Sequence, residues 1–273
     1  MLAVIPTLNK ILGIPPLASE NGEMVDHMLE LVHWVMLVLF VGWSIFLIVT
    51  FYKHRKSVNP KADYYGVRGH ASTHIEIGVV IVESILLLGF AFPLWAQQSD
   101  KYPTGANVLK MRAVGEKFNW NFQYPGSDGV LGSQHIKYVD AAAGNMIGRD
   151  MKDPNGKDDF VKGGVMTLPV NRPVIVDITS KDVIHSLALA SMRMTQDATP
   201  GMHSQIWFKP TKIGKWDIIC AQLCGSGHSQ MKASLVVLEE KEFDAFMKEE
   251  SADALKKLTP AIPAPSTPAQ TAK

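Results

Sequence analysis

Cysteine is nearly absent from this chain. Only Cys220 and Cys224 occur among 273 residues, so at most one disulfide can form. An excess of one charge is also missing: 27 Lys and Arg face 26 Asp and Glu, for a formal net charge of +1. Without a basic excess the composition argues against nucleic acid as a partner. No Cys-x-x-Cys-His run occurs, which excludes a haem attached covalently to this chain. A clean signal peptide is lacking as well, because Lys10 follows the short apolar start instead of preceding it and Pro15-Pro16 interrupts.

The apolar residues are concentrated in two early runs. Leu31 to Tyr52 is broken only by His33, Gly42, Ser44 and Thr50; as a helix it reaches about 33 Å, enough to cross a bilayer. Ile77 to Ala96 is the second run. Trp34, Trp43, Tyr52 and Trp95 suit interfacial belts or bundle contacts. Between the runs, Lys53, Arg55, Lys56, Lys61 and Arg68 outweigh Asp63. The positive-inside rule therefore puts this loop in the cytoplasm, and the N-terminus and everything after about residue 97 on the other side. Glu83 lies within the second span, where an ionised acid is costly, so it is expected to face protein or carry a proton. Glu76, seven residues earlier, shares its helix face.

Beyond residue 97 the pattern changes to short β-rich runs at 108–114, 165–170, 174–179, 185–189, 205–208, 216–220 and 233–238, with Asn171-Arg172-Pro173 as turn punctuation. These predict a Greek-key sandwich or barrel. The chain thus divides into an external N-terminal segment (1–28), a two-helix membrane hairpin (29–97) with a cytoplasmic loop (53–74), a β-domain (98–240), a C-terminal helix (241–258) and a disordered tail rich in Pro, Ala and Thr (259–273). Residues 124–164 read as a long polar insertion without structure of its own, of the kind that is often functional or mobile.

The two cysteines belong to one dense cluster, Cys220-Ala221-Gln222-Leu223-Cys224-Gly225-Ser226-Gly227-His228-Ser229-Gln230-Met231, and His185 lies upstream in Asp182-Val183-Ile184-His185-Ser186. A disulfide here would close a five-residue loop worth roughly 2 kcal/mol, but it gives no reason for the neighbouring His and Met. Structural zinc does not recruit a thioether. One Cys, two His and a weak Met make a mononuclear blue-copper set. This chain has that set plus one more thiolate, and the economical reading of the extra sulfur is a second copper with both sulfurs bridging. A shared electron then suits the site to relaying electrons rather than binding a substrate.

Two N-terminal spans, a β-rich external domain and Cys-x-x-x-Cys-x-x-x-His-x-x-Met together resemble subunit II of the haem–copper oxidases of the cytochrome c oxidase type, over about residues 25 to 250. The resemblance implies a cupredoxin-like domain carrying a binuclear copper centre, CuA. Cys220 and Cys224 would bridge the coppers, His185 and His228 would bind one each, Met231 would be axial and Gln222 would offer its backbone carbonyl. It further implies a cytochrome c-type donor haem, oxidase subunit I with its haem and CuB as acceptor, other oxidase subunits, membrane lipid, and a bacterial inner-membrane location with the copper domain on the periplasmic side. Glu76 matches a family glutamate near the mouth of a proton pathway. Two positions depart from the family. Gln222 stands where a glutamate usually helps to bind magnesium, which weakens the expectation of that ion. In Gly115-Glu116-Lys117-Phe118-Asn119-Trp120, Phe118 stands at the electron-entry tryptophan while Trp120 is kept. A phenylalanine there and a charge-balanced insertion point to a donor haem held in a fixed or fused partner. A copper-free quinol-oxidase subunit and a membrane-anchored copper-delivery protein are the competing functions. The intact ligand set argues against the first, and a closed six-ligand cage against the second.

Overall fold

The apolar runs form two long helices. α1 spans Gly22–His54 and α2 spans Ala71–Ser99, with one π-helical turn at Leu87–Ala91. Both are long and apolar enough to cross a membrane. The computed structural model describes residues 10–61, 64–66 and 69–258. The proposed tail at 259–273 and the loop residues Asp63 and Arg68 lie outside that range. Hydropathy alone misplaced the helix ends. α1 starts nine residues before Leu31, because the polar stretch Gly22 to Glu30 continues the same helix. α2 starts at Ala71 instead of Ile77, which narrows the connecting loop from 53–74 to 55–70. Gln98 Nε2 donates to the Asn21 carbonyl at 3.4 Å and ties the end of α2 to the start of α1. Glu76 and Glu83 are exposed on α2.

The chain divides at Tyr102 and Pro103 into two compact units. Among its described residues the second unit is a β-sandwich of ten strands followed by one α-helix. One sheet runs β3-β2-β1-β5-β8, made of Phe160–Gly163, Asn119–Tyr124, Leu109–Glu116, Val174–Ser180 and Ser204–Phe208. The other runs β4-β10-β9-β6-β7, made of Val165–Pro169, Lys232–Leu238, Gly214–Cys220, His185–Leu189 and Met194–Ala198. Each sheet has one parallel pair, β1 with β5 (Leu109 opposite Val174) and β10 with β4 (Ser234 opposite Val165). The core lies between the sheets, where Met111, Val176, Ile178 and Phe208 of one and Leu187, Leu189, Ile218 and Leu235 of the other are buried. β10 shows why strand periodicity works: its residues alternate between buried and half-exposed along Lys232–Leu238. α3, Glu240–Leu258, packs Phe246 edge-on to Tyr124 and Phe160.

The polar insertion is structured, contrary to the expectation from its composition. Its turns are tied by Asp and Asn side chains rather than by an apolar core. Asp158 Oδ2 accepts from Ser127 N at 2.6 Å and Ser127 Oγ at 2.7 Å, and from Ser251 of α3 at 3.3 Å. Asp159 Oδ2 accepts from Gly132 N at 2.9 Å and Gln123 Nε2 at 2.5 Å. Asn145 Nδ2 donates to the carbonyls of Tyr138 and Arg149. Asn, Asp and Ser favour such local bonds to backbone, which is why the sequence reads as loop.

Candidate metal centre

Three segments build the site. β6 begins at His185. β9 ends at Cys220, directly opposite Leu187 of β6. The segment from Ala221 to Met231 then returns to β10. Two backbone bonds close its base: Cys220 N to Met231 O at 3.2 Å, and Ala221 N to Ser186 O at 3.0 Å. Within it, His228 N donates to Gly225 O at 3.1 Å and Gln230 N to Gly227 O at 3.0 Å. Gly225 sits at a φ of 138°, which an L side chain rarely adopts.

This folding brings the donors together. Cys220 Sγ and Cys224 Sγ are 3.9 Å apart, both thiols are free and both are buried. His185 Nδ1 lies 3.9 Å from Cys220 Sγ, and His228 Nδ1 lies 3.6 Å from Cys224 Sγ. Met231 Sδ is 3.7 Å from Cys224 Sγ, and the Gln222 carbonyl accepts from Cys220 Sγ at 3.1 Å. Ligands at about 2.3 Å around a tetrahedral ion are roughly 3.8 Å apart, so the spacing fits metal ligation. Thiolate, thioether and imidazole form a soft set that suits copper. Burial, and then the neighbouring Cys220, push the Cys224 thiol up to about 11. The Cys224 thiol therefore keeps its proton until a metal displaces it.

Supporting groups fix the ligand orientations. His185 Nε2 donates to Asp182 Oδ1 at 2.9 Å, which leaves the Nδ1 lone pair facing sulfur. Burial works against the Asp182 charge, but bonds from His185 and from the Lys117 and Val183 backbone N–H groups hold its carboxyl below the usual carboxylate range. Gly115 makes room for the imidazole, since a Cβ there would lie 2.9 Å from His185 Cδ2. Trp120 is fully buried and meets the His185 ring edge-on, with centroids 5.9 Å apart. Phe118 is 37% exposed and covers Gly225 and Gly227. Sequence reasoning missed the parts played by Asp182 and Gly115, and it read Gly227, with Gly225, as a glycine that lets the loop turn tightly around a metal, whereas Gly227 lies under the Phe118 ring. For Asp182 a signal existed in its place three residues before His185.

Residues 109–240 match the family described as cytochrome c oxidase subunit II, periplasmic domain. This stretch holds every residue of the cluster. The β-domain belongs to the cytochrome c oxidase subunit II family. A similar curated protein is the alternative cytochrome c oxidase subunit 2 of Bradyrhizobium diazoefficiens, 27% identical over 237 residues, covering 86% of this chain and 83% of that protein. Cytochrome c oxidase subunit 2 of Cereibacter sphaeroides is 25% identical over 267 residues, covering 92% and 85%. Among solved structures, the periplasmic domain of subunit II of cytochrome oxidase from Bradyrhizobium japonicum is 27% identical, with a TM-score of 0.41 over 56% of this chain and 99% of that one. The subunit II relatives are parts of a terminal oxidase, an oxidoreductase, and subunit II works within that complex.

Proposed function

We propose that this chain is the subunit II of a cytochrome c oxidase that receives single electrons from a c-type haem at a binuclear copper centre and delivers them to haem in subunit I, where oxygen is reduced to water. One observation carries the reading. Two buried, unbonded sulfurs lie 3.9 Å apart, and each has an imidazole nitrogen of a different histidine beside it, His185 for Cys220 and His228 for Cys224. A mononuclear site needs one thiolate, and the symmetry of this arrangement supports two ions.

His185, Cys220, the Gln222 carbonyl, Cys224, His228 and Met231 are the groups that would hold the pair. Bound there, a copper pair would supply a one-electron store. The chain's own part is to keep that site rigid and dry. Asp182 orients His185, and the β9–β10 ladder closes the loop base. Met231 and both sulfurs are shielded from water. Of Cys220, Cys224, His228 and Met231, His228 alone is half-exposed and is the outlet toward subunit I. Phe118 and Trp120 are the aromatic pair on the donor side. The two helices anchor the domain on the periplasmic side of a bacterial inner membrane, with Glu76 near a proton entry. An amide is a weaker ligand for a hard cation than a carboxylate, and we assign no magnesium to Gln222.

Copper analysis and electron paramagnetic resonance of the oxidised protein test this reading. Two equivalents of copper with a seven-line hyperfine pattern are expected. A four-line pattern, or a Cys220–Cys224 disulfide in the loaded protein, would sink it.

A further inference from the structure

The β1–β2 hairpin turns through only two residues, Lys117 and Phe118, with Glu116 paired to Asn119. This tip touches the candidate site on two sides. Lys117 N donates to Asp182 Oδ2 at 2.7 Å, while Oδ1 of the same carboxylate accepts from His185 Nε2 at 2.9 Å. Phe118 points the other way, onto the loop that carries His228. A Cβ added at Gly225 would lie 3.2 Å from Phe118 Cε1 and Cζ. One added at Gly227 would lie 2.5 Å from Cδ2, 2.6 Å from Cγ and 2.9 Å from Cε2, and these ring atoms are its three nearest neighbours. Gly227 has φ −91° and ψ 7°, a conformation open to alanine. The ring, not the backbone, is what requires glycine there.

We propose that the hairpin tip is a strap that sets the two histidine arms of the site against each other, with Phe118 and Gly227 a matched pair. Phe118 is then a positioning residue. Its ring seats on the Gly225–Gly227 turn and so fixes the backbone from which His228 Nδ1 approaches Cys224. The Lys117 N–H holds the other arm through Asp182. A single two-residue turn thus couples ligands on β6 and on the β9–β10 loop, 43 positions apart in sequence, since 228 − 185 = 43. Packing a ring directly on glycine backbone leaves no side chain on that surface to rearrange, so the contact distance is set by the ring and the main chain.

The spectroscopic part of the test rests on the copper reading above, and the metal-free part does not. Full-length wild type, Gly227→Ala, Phe118→Ala and the double variant are compared in two states. Without metal, the reaction rate of Cys220 and Cys224 with a thiol reagent is measured. With copper, equivalents bound and the hyperfine pattern are measured. Gly227→Ala should displace the ring, raise the thiol rate by about tenfold, and lower copper content or alter the spectrum. The double variant should return to the Phe118→Ala values, because the added methyl no longer meets a ring. A Gly227→Ala protein that matches wild type in both states overturns the proposal. So does a double variant that departs from the Phe118→Ala values by as much as Gly227→Ala departs from wild type. If Gly227→Ala does not fold, the double variant decides: recovery of a folded, copper-binding chain supports the pairing, and continued failure overturns it. Wild type with fewer than two coppers would defeat the proposed function, while the thiol rates would still settle the pairing.

Discussion

His185 is constrained on every side that its ring presents. Nε2 is bonded to Asp182, Nδ1 faces Cys220, and one ring edge abuts the Gly115 backbone beside Trp120. Gly115→Ala therefore adds a methyl 2.9 Å from His185 Cδ2 and 3.2 Å from Trp120 Cζ3. Overpacking of this kind costs about 1–3 kcal/mol. Because both neighbours are fully buried, the imidazole has to move. The expected outcome is a lower unfolding midpoint of the metal-free protein together with weaker copper retention against a chelator. Unchanged values for both would show that the pocket has more slack than these contacts imply. The candidate donor side chains were legible in the sequence because metal chemistry restricts such groups to a few residue types at short spacing. Gly115, Gly227 and their ring partners were not, because those contacts join residues 70 and 109 positions apart (185 − 115 and 227 − 118) and leave no local pattern.

Among the elements, the insertion between β2 and β3 is the one whose stability should respond to pH. Burial pushes the Asp159 carboxyl up to about 6, against hydrogen bonds from Gly132 and Gln123 and the nearby Arg149. The unfolded value is near 3.9, so between about pH 4 and 6 the native state binds more protons than the unfolded chain. The contribution of this group to stability is therefore greatest at the acid end of that window and falls as pH rises through 6. Asp158 acts the other way. Burial raises its carboxyl, but hydrogen bonds from Ser127 and Asp128 bring it below the ordinary range, so its contribution is lost only at lower pH. Asp159→Asn should remove the first effect. Relative to that variant, wild type should gain thermal stability on acidification from pH 7 to 4.5, and parallel curves would refute the assignment. The rest of the fold divides by the same logic of burial. Strands with one wet face, such as β9 and β10, were readable by alternation. β2 alternates polar and aromatic residues as Asn-Trp-Asn-Phe-Gln-Tyr and was open to the same reading, although its polar Asn121 and Gln123 turn out to be buried along with Trp120, Phe122 and Tyr124. β7, Met-Thr-Gln-Asp-Ala, and the four-residue β3 carry too little apolar signal to stand out from loops.

For the whole molecule, the proposed function requires a donor to reach the loop that carries Cys220, Cys224, His228 and Met231. Between Cys220 and Met231 there is no Asp, Glu, Lys or Arg, and the chain as a whole is nearly neutral. Leu223, Ile184 and Phe118 are exposed apolar side chains on or next to the candidate ligand segments, and the exposed charges beside them, Lys117, Lys232 and Asp182, are of both signs. The insertion adds no excess of one sign, and several of its carboxylates are already occupied by backbone N–H groups, as at Asp140, Asp150 and Asp153. Electrostatic steering needs a one-signed field over a surface, and neither the Cys220–Met231 loop nor the insertion supplies an excess of one sign to draw in a freely diffusing, strongly basic or acidic protein. A donor haem fixed in a neighbouring or fused subunit removes that need, because tethering replaces long-range attraction with a high effective concentration. The consequence is measurable in membranes that retain the assembled oxidase and its native donor. Raising ionic strength from about 0.01 to 0.15 M shortens the Debye length from roughly 30 to 8 Å. Across that range oxygen uptake should change by less than about twofold if the donor is tethered. A steep fall would mean that charged residues of other subunits steer a mobile donor to this face, and the tethered arrangement would have to be abandoned.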